Sequence, residues 1–334
     1  MTLADDETRP QGSPGASPDA PVSVSLVVVT QRRQGPLACA LRSLLSQTGL
    51  GGAAVELVVV DNDAQPSVRG LVEGLAAGAP FPVRYVHEPA SGVASARNAG
   101  VEQSRGALIA FLDDDEEAPG GWLLALMEAQ QAFDADAVFG PVRALLTDEI
   151  VRHRAYLTEF FSRTGPQRAG PMDGHHGCGN SLIRRSALPD ARRPFSPISN
   201  LTGGEDTLLF GAMQQAGARF CWAPGAWVWE HPAAERLNLG YAVRRAFVMG
   251  QGPTSFCAAQ TPPNVIGVAR WMIIGLAQAA IFGLIAAGKW LLRAPDLAQT
   301  LDRAARGLGK ALWWGPFKIN FYGRTREALD HDER

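Results

Sequence analysis

The chain has 334 residues, of which 46% are hydrophobic and 19% are charged, and its formal net charge is −2. This composition excludes a wholly disordered chain and leaves room for one large or two modest folded domains. The four cysteines lack C-x-x-C spacing, which argues against a structural zinc site and against a disulfide framework.

The charges are unevenly distributed along the chain. Residues 236–326 contain twelve Lys and Arg but only two acids, Asp296 and Asp302, and therefore carry a net charge of +10. A basic segment attached to an acidic body predicts an anionic partner, either a nucleic acid or a membrane leaflet.

Residues 1–20 differ in composition from the rest of the chain. They are rich in Pro, Gly, Ser and Asp and have no apolar periodicity, so we predict a disordered arm. The arm lacks the basic start and apolar stretch of a secretion signal. We therefore expect the newly made protein to be in the cytosol.

Strands and helices alternate over the next part of the chain. The β-branched run Val24–Thr30 predicts a strand, and apolar residues on one face predict a helix that begins at Gly35-Pro36. Further strands are predicted over 55–60, over 83–86 and from 107, and further helices from Pro66 and over 93–103. This order predicts βαβ units, right-handed crossovers and a doubly wound, mostly parallel sheet of the nucleotide-binding kind.

The segment Ala107–Glu117 is an apolar run that ends in five consecutive acids. Such a run predicts a buried strand that delivers carboxylates to the carboxyl edge of the sheet, where open α/β folds bind their ligands. Alternation along an extended strand would point Asp113 and Asp115 to one side and Asp114 to the other, so that the outer pair could share one hard cation. The alternative is a solvated loop that caps the helix starting near Pro119.

The turn after the first strand does not contain a known phosphate-binding motif. It reads Thr30-Gln-Arg-Arg-Gln-Gly35 and matches neither the dinucleotide-binding nor the P-loop pattern. A divalent ion on Asp113 and Asp115, assisted by the guanidinium of Arg97, would hold phosphate instead. The alternative for Arg97 is an ordinary surface charge on its helix.

Taken together, these motifs resemble the family 2 glycosyltransferases of GT-A fold. The resemblance covers about residues 22–250 and rests on the strands that end in Thr30 and Asp61, on Ala96-Arg97-Asn98, and on Phe111-Leu112-Asp113-Asp114-Asp115. It implies a GT-A (Rossmann-like), mixed and mostly parallel sheet flanked by helices. It also implies a nucleotide-sugar donor, a glycan or lipid-linked acceptor, and Mn²⁺ or Mg²⁺ as cofactor. The donor-binding residues would be Thr30, Asp61, Arg97, Asp113 and Asp114, with Asp61 at the base, Arg97 near the diphosphate, and Asp113 with Asp115 on the metal.

Two turns depart from the family pattern. This chain has Val29-Thr30-Gln31-Arg32 where the family commonly has Pro-Thr-Tyr-Asn, and Asp61-Asn62-Asp63-Ala64 where it has Asp-Gly-Ser or Asn-x-Ser. Both turns adjoin the pocket for the base and ribose, so the resemblance does not identify the nucleotide.

The second half of the chain supplies the candidate acceptor site. We predict a helix over 122–132, a strand over 137–142 and an irregular, aromatic segment over 151–170. Glu205 and Asp206 then start a helix, where an acid pair is either a cap or a source of the general base that takes a proton from the acceptor hydroxyl. The resemblance assigns the base to Asp206, with Glu205 as the second choice, and implies inversion at the anomeric carbon. It also makes His231 a third metal or phosphate contact, although a lone His is more often a packed residue.

The C-terminal part indicates a membrane-associated helical tail. Residues 271–288 carry no charge, and the length of this segment is near the minimum for spanning a bilayer. The small residues Gly275, Ala279, Gly283 and Ala287 recur at every fourth position, a pattern that lets helices approach closely in lipid. The alternative is a buried core helix. The following segment has an apolar stripe beside basic and aromatic residues, a pattern that suits an anionic leaflet better than nucleic acid. We expect helices lying in the cytoplasmic leaflet of the inner membrane, with a single crossing as second choice.

We therefore predict four segments and one function. The segments are the arm 1–20, a donor-binding half 21–117, an acceptor-binding half 118–250 and the tail 251–334. The function is inverting, metal-dependent transfer of a sugar in cell-surface polysaccharide synthesis. Two alternatives remain: a haloacid-dehalogenase-like phosphohydrolase, suggested by Asp61-Asn62-Asp63 after a hydrophobic strand, and a non-catalytic glycan-binding relative at the membrane. The sequence gives no indication of the oligomeric state.

Overall fold

The computed structural model describes residues 23–146, 152–197, 204–260 and 262–319. The predicted arm at 1–20 lies outside the described residues. The strands are β1 (Val24–Thr30), β2 (Val55–Asp61), β3 (Val83–His87), β4 (Leu108–Asp113), β5 (Glu116–Glu117), β6 (Ala137–Phe139), β7 (Val142–Ala144), β8 (Gly170–Pro171), β9 (Ser181–Arg184), β10 (Phe220–Trp222) and β11 (Val228–Glu230). The α-helices are α1 (Gln34–Leu45), α2 (Arg69–Ala76), α3 (Val93–Gln103), α4 (Trp122–Phe133), α5 (Arg154–Phe161), α6 (Glu205–Gln215), α7 (Leu239–Ala259), α8 (Val265–Leu291) and α9 (Leu297–Ala311).

The central sheet has eight strands in the order β3-β2-β1-β4-β9-β6-β10-β8. The neighbours β3-β2, β2-β1, β1-β4 and β6-β10 are parallel, and the pairs that involve β9 or β8 are antiparallel. A separate small sheet has the order β5-β11-β7. The prediction of a mixed, mostly parallel sheet is therefore confirmed.

The sheet is buried on both faces, as the continuous apolar runs of its strands require. Alternate residues of β1 belong to different hydrophobic clusters: Leu26 and Val28 pack on the face covered by α1 and α4, and Val27 packs on the face covered by α3 and α6.

Because β1, β2, β3 and β4 run parallel, their carboxyl ends lie at one common edge of the sheet. The chain leaves β1 for β2 on one side and later returns to β4 on the other, which opens a crevice between the ends of β1 and β4.

The structure corrects three details of the predicted elements. Helix α2 begins at Arg69 and not at Pro66, because the backbone N–H groups of Ser67 and Val68 donate to the carboxylate of Asp61 and hold a turn there. The predicted strand 137–142 is split into β6 and β7, which belong to different sheets. The described part of the segment 151–170, predicted to be irregular, contains α5.

Helix α5 forms because its aromatic side chains have helical spacing and a surface to pack against. Tyr156 and Leu157 are buried in a cluster with Leu237, Ala242 and Ala298. Two of those partners come from α7 and α9, so α5 joins the C-terminal helices to the sheet domain. The hydroxyl of Tyr156 also donates a hydrogen bond of 3.1 Å to Oδ1 of Asp302.

Helix α8 is long and apolar enough to cross a membrane, and only 11% of its most apolar stretch is buried. The alternative of a buried core helix is therefore wrong. Its most exposed apolar side chains, which we call the α8 face, are Val265, Ile266, Ile273, Leu276, Ile281, Leu284, Trp290 and Leu291. The small residues of α8 have a different role, because Gly275 and Ala279 lie against Gly307 of α9.

This close approach between α8 and α9 predicts opposite effects for two glycine substitutions. A methyl group at Gly307 would lie 2.6 Å from the backbone nitrogen of Ala279 and 2.8 Å from the carbonyl oxygen of Gly275, whereas one at Gly283 would meet nothing within 4 Å. We expect Gly307→Ala to destabilise the protein by about 1–3 kcal/mol through overpacking. We expect Gly283→Ala to stabilise it by up to about 1 kcal/mol through helix propensity. Thermal unfolding of both variants would check this, and equal shifts of the same sign would contradict it.

Candidate active site

Three polar residues lie at the carboxyl edge of the sheet. The register pairs Thr30 of β1 with Asp61 of β2, and Val29 of β1 with Asp113 of β4. The sequence placed all three at strand ends, and the parallel pairing brings them together at the crevice. Ligands of open α/β sheets bind at such a crevice.

The acids after β4 are arranged differently from the prediction. Strand β4 ends at Asp113, and Asp114 and Asp115 form a turn, so the alternation of an extended strand does not apply to them. As a result Asp114 does not point away from Asp115: Nη1 of Arg33 donates to Oδ1 of Asp114 and to Oδ2 of Asp115, each at 2.9 Å. Thr30 donates from Oγ1 to Oδ2 of Asp114 at 2.6 Å.

Negative charge accumulates around this turn. Burial raises the pKa of Asp115, and the neighbouring charge of Asp113 raises it further. Burial also raises the pKa of Glu230 to about 8, with contributions from the charges of Asp115 and Asp113. The pKa of Glu116 is raised for the same reasons. A cation bound to Asp113 and Asp115 would relieve this repulsion.

The donor set fits Mg²⁺ or Mn²⁺ only in part. In the described residues, no group of three or more His, Cys, Asp or Glu side chains is arranged to hold a metal ion. Mg²⁺ is commonly held by one or two carboxylates together with substrate phosphates and water, and Asp113 and Asp115 can supply the carboxylates. The side chain of Asp113 is 42% exposed and so accessible from the crevice. The pair therefore fits an ion that is completed by a bound diphosphate.

Arg97 is buried beside the carboxylates of Asp113 and Glu205. Its Nη2 lies 3.3 Å from Oδ1 of Asp113, its Nη1 donates to Oε1 of Glu205, and its side chain is only 7% exposed. Arg97 therefore connects the end of β4 with the start of α6. Its predicted contact with the diphosphate stays a prediction, as does the reserve role of Glu205, which is engaged in this ion pair.

The carboxylate of Asp61 is fully buried and accepts four hydrogen bonds. The donors are the backbone N–H and hydroxyl of Ser67, the backbone N–H of Val68 and the hydroxyl of Tyr85, at 2.6–3.0 Å. Burial opposes ionisation, but these donors hold the pKa of Asp61 below its ordinary value. In this structure Asp61 fixes the turn after β2, and its predicted contact with the base stays a prediction.

A glycine loop, residues Gly177–Gly179, lies between the two groups of acids. A side chain at Gly179 would begin 2.4 Å from Oδ2 of Asp113, and one at Gly177 would begin 3.2 Å from Oδ2 of Asp206. Asp206 is partly exposed at the first turn of α6, and its Oδ1 accepts the backbone N–H of Thr207 at 2.7 Å. The loop therefore brings the candidate metal ligand and the candidate base to one place.

Arg163 holds the glycine loop in position. Its guanidinium donates to the carbonyl oxygens of Gly140, Gly177, Gly179 and Asn180 at 2.9–3.2 Å. Sequence reasoning missed this residue, because an arginine that binds carbonyl groups leaves no pattern in the sequence.

The histidines are placed as follows. The backbone N–H of His231 donates to the carbonyl oxygen of Asp115 at 2.8 Å, and its ring nitrogen Nε2 lies 3.3 Å from Oε2 of Glu117. Its role as a metal contact stays a prediction. The rings of His175 and His176 pack against Phe210 and Trp222.

Sequence reasoning also missed Arg33, although a signal was available. Two arginines directly precede α1, where the positive end of the helix dipole disfavours cations. Such an unfavourable placement requires a nearby negative partner, and the structure shows Asp63 for Arg32 and Asp114 with Asp115 for Arg33.

Comparison with known proteins agrees with this geometry. The family model for glycosyl transferase family 2 matches residues 25–191. The succinoglycan biosynthesis protein ExoM of Rhizobium meliloti (strain 1021) is 38% identical over 234 residues, which span 70% of this chain and 75% of ExoM.

Solved structures show the same fold. Residues 1–349 of S. aureus TarS superpose with a TM-score of 0.51 at 14% identity, covering 86% of this chain and 90% of that one. The same TarS fragment in complex with UDP-GlcNAc gives the same score and coverage. The predicted GT-A architecture is thus confirmed. With half of the chain matched by the family model and a relative at 38% identity, the chain belongs to glycosyl transferase family 2.

Proposed function

We propose that this glycosyltransferase moves a sugar from a nucleoside diphosphate sugar to a hydroxyl group of its acceptor, with inversion at the anomeric carbon. The observation that carries the proposal is that Asp113 and Asp206 lie against the same glycine loop, at Gly179 and Gly177. A single displacement needs charge neutralisation at the leaving diphosphate and a base at the attacking hydroxyl. The two acids can supply these functions from opposite ends of the loop.

On the donor side, Asp113 and Asp115 would hold Mn²⁺ or Mg²⁺. When bound, such an ion offsets the negative charge that develops on the nucleoside diphosphate as the bond to the sugar breaks. The chain itself orients these acids. Arg97 contacts Asp113 from below, and Arg33 and Arg236 approach Oδ2 of Asp115 to 2.9 and 3.8 Å.

On the acceptor side, Asp206 would act as the general base. The acceptor oxygen forms the new bond to the anomeric carbon, its proton passes to the carboxylate of Asp206, and the diphosphate leaves with the electrons of the old bond. The backbone N–H of Thr207 orients Oδ1 of Asp206 and leaves Oδ2 toward the loop. Glu205 is engaged with Arg97, which favours Asp206 over Glu205 as the base.

The phosphohydrolase alternative is not supported by the geometry. Its nucleophile would be Asp61, whose carboxylate is fully buried and accepts four hydrogen bonds from the protein. A nucleophile must reach its substrate, and Asp61 does not.

The similarity to ExoM supports a place in polysaccharide synthesis, with a glycan or lipid-linked acceptor. The α8 face supports attachment to a membrane, because a large exposed apolar surface marks an interaction site. The neighbouring basic residues favour an anionic leaflet, and we propose the cytoplasmic face of the inner membrane.

The first prediction of this proposal concerns the base. Asp206→Asn keeps the shape of the side chain but removes its ability to take a proton, so we expect sugar transfer to fall about 100-fold or more. Transfer of radiolabelled sugar from a panel of nucleotide sugars to glycan and lipid-linked acceptors would measure this. Asp190→Asn is the control, because Asp190 is exposed and accepts backbone hydrogen bonds that an amide oxygen also accepts. Undiminished transfer by Asp206→Asn would contradict the assignment.

The second prediction concerns the metal. We expect EDTA to weaken the binding of UDP or GDP to the wild-type protein about tenfold or more, because the acids then repel the diphosphate. Asp115→Asn should weaken nucleotide binding in the presence of Mn²⁺ and make it less sensitive to EDTA. Isothermal titration calorimetry would measure both effects. Nucleotide affinity that is indifferent to EDTA and to the substitution would contradict metal-assisted binding.

The third prediction concerns the membrane. Ile273 and Leu284 of the α8 face are 68% and 77% exposed. Burying each of them in lipid contributes about 1.5–3 kcal/mol, so the double variant Ile273→Gln/Leu284→Gln should float poorly with phosphatidylglycerol-containing vesicles. The control is Leu145→Gln/Leu208→Gln, which removes two exposed leucines from the sheet domain. Equal flotation of the two double variants would contradict attachment through α8.

A further inference from the structure

Arg33 lies directly before α1, in the crevice between the ends of β1 and β4. One nitrogen of its guanidinium, Nη1, donates to both Asp114 and Asp115. Among the described residues, Nε and Nη2 of Arg33 have no hydrogen-bond partner. The side chain is 33% exposed. Two donors of the planar group are therefore available to a ligand in the crevice.

The contact between Arg33 and the two acids depends on charge. The side chains of Asp114 and Asp115 are only 9% and 12% exposed, so their charges need a close counter-ion. Arg33 is nearer to Asp115 than Arg236 is, at 2.9 Å against 3.8 Å. A divalent cation on Asp115 would provide the same neutralisation and would repel the guanidinium.

We propose that Arg33 is a donor-binding residue that changes partner during the binding of a nucleoside diphosphate. In the free protein it is the counter-ion of Asp114 and Asp115. When a divalent cation occupies Asp115, the guanidinium turns its Nε and Nη2 edge to the phosphate oxygens of the donor. Guanidinium groups suit this role because they present paired N–H donors to phosphate. This inference rests on the proposed nucleotide-sugar donor.

The exchange predicts that one substitution changes two affinities in opposite directions. Arg33→Gln removes a positive competitor for Asp115, so Mn²⁺ should bind severalfold more tightly in the absence of nucleotide. The same variant loses a charged hydrogen-bond donor to phosphate, so UDP or GDP should bind about tenfold more weakly at saturating Mn²⁺. Electron paramagnetic resonance would measure free Mn²⁺, and calorimetry would measure the nucleotides.

Arg193→Gln is the matched control. It removes the same charge outside the crevice, where Arg193 pairs with Glu102 and its side chain is 62% exposed. Both affinities should stay within about twofold of wild type, as expected for an exposed ion pair. Arg33→Lys keeps the charge without the planar edge, so it should bind Mn²⁺ as the wild type does and still bind nucleotide more weakly. Thermal unfolding of each variant confirms that it is folded.

The outcomes separate this inference from the proposed function. Nucleotide affinity that is unchanged in Arg33→Gln would overturn the role of Arg33, and so would parallel weakening of Mn²⁺ and nucleotide. Wild-type protein that binds neither UDP nor GDP with Mn²⁺ would instead refute the proposed donor class, and the inference with it. Opposite shifts in Arg33→Gln, absent in Arg193→Gln, would support the exchange.

Discussion

The concentration of negative charge at the end of β4 is the constraint on which this site depends. Asp113 and Asp115 lie within electrostatic reach of Glu116 and Glu230, and burial together with mutual repulsion raises the pKa of Asp115, Glu116 and Glu230. Buried carboxylates are costly unless they are paired. The strand order of the sheet reduces this cost, because the pairing of β1 with β4 brings the positive charge of Arg33 beside the acids. Such a site favours the binding of a cation and of a ligand that carries a cation.

Two arginines connect the two halves of the site. Arg97 contacts Asp113 after β4 and Glu205 at the start of α6, and Arg163 fixes the glycine loop between them. The side chain of Arg97 is only 7% exposed and Arg163 donates four hydrogen bonds, so these contacts connect the acids of the donor and acceptor sides. Rigid placement of reacting groups is a large part of what a transferase supplies.

The sequence predicted those parts of the structure that follow from local patterns. The bounds of β1 and α3 agree with the β-branched and helical runs, and the acid stretch lies at the sheet edge because a buried apolar strand must end there. The predicted alternation of side chains was wrong beyond Asp113, where the chain turns. Helix α5 was missed because its packing partners lie far away in the sequence.

Long-range contacts explain the remaining differences. Arg33 and Arg163 contact groups that lie close only after the sheet has formed, so no local pattern identifies their partners. For α8, the uncharged apolar run predicted a membrane-associated helix with a buried core helix as the alternative, and only the exposure of the folded helix decided between them. The role of Gly307 of α9 was not evident from the sequence, because the close approach of α8 and α9 depends on small residues of both helices.

The hydrogen bond between Tyr156 and Asp302 has a consequence for the whole molecule. It joins α9 to α5, and Arg163, two residues after the end of α5, holds the glycine loop. If lipid binds α8, the same chain of contacts sets the height of the crevice above the bilayer.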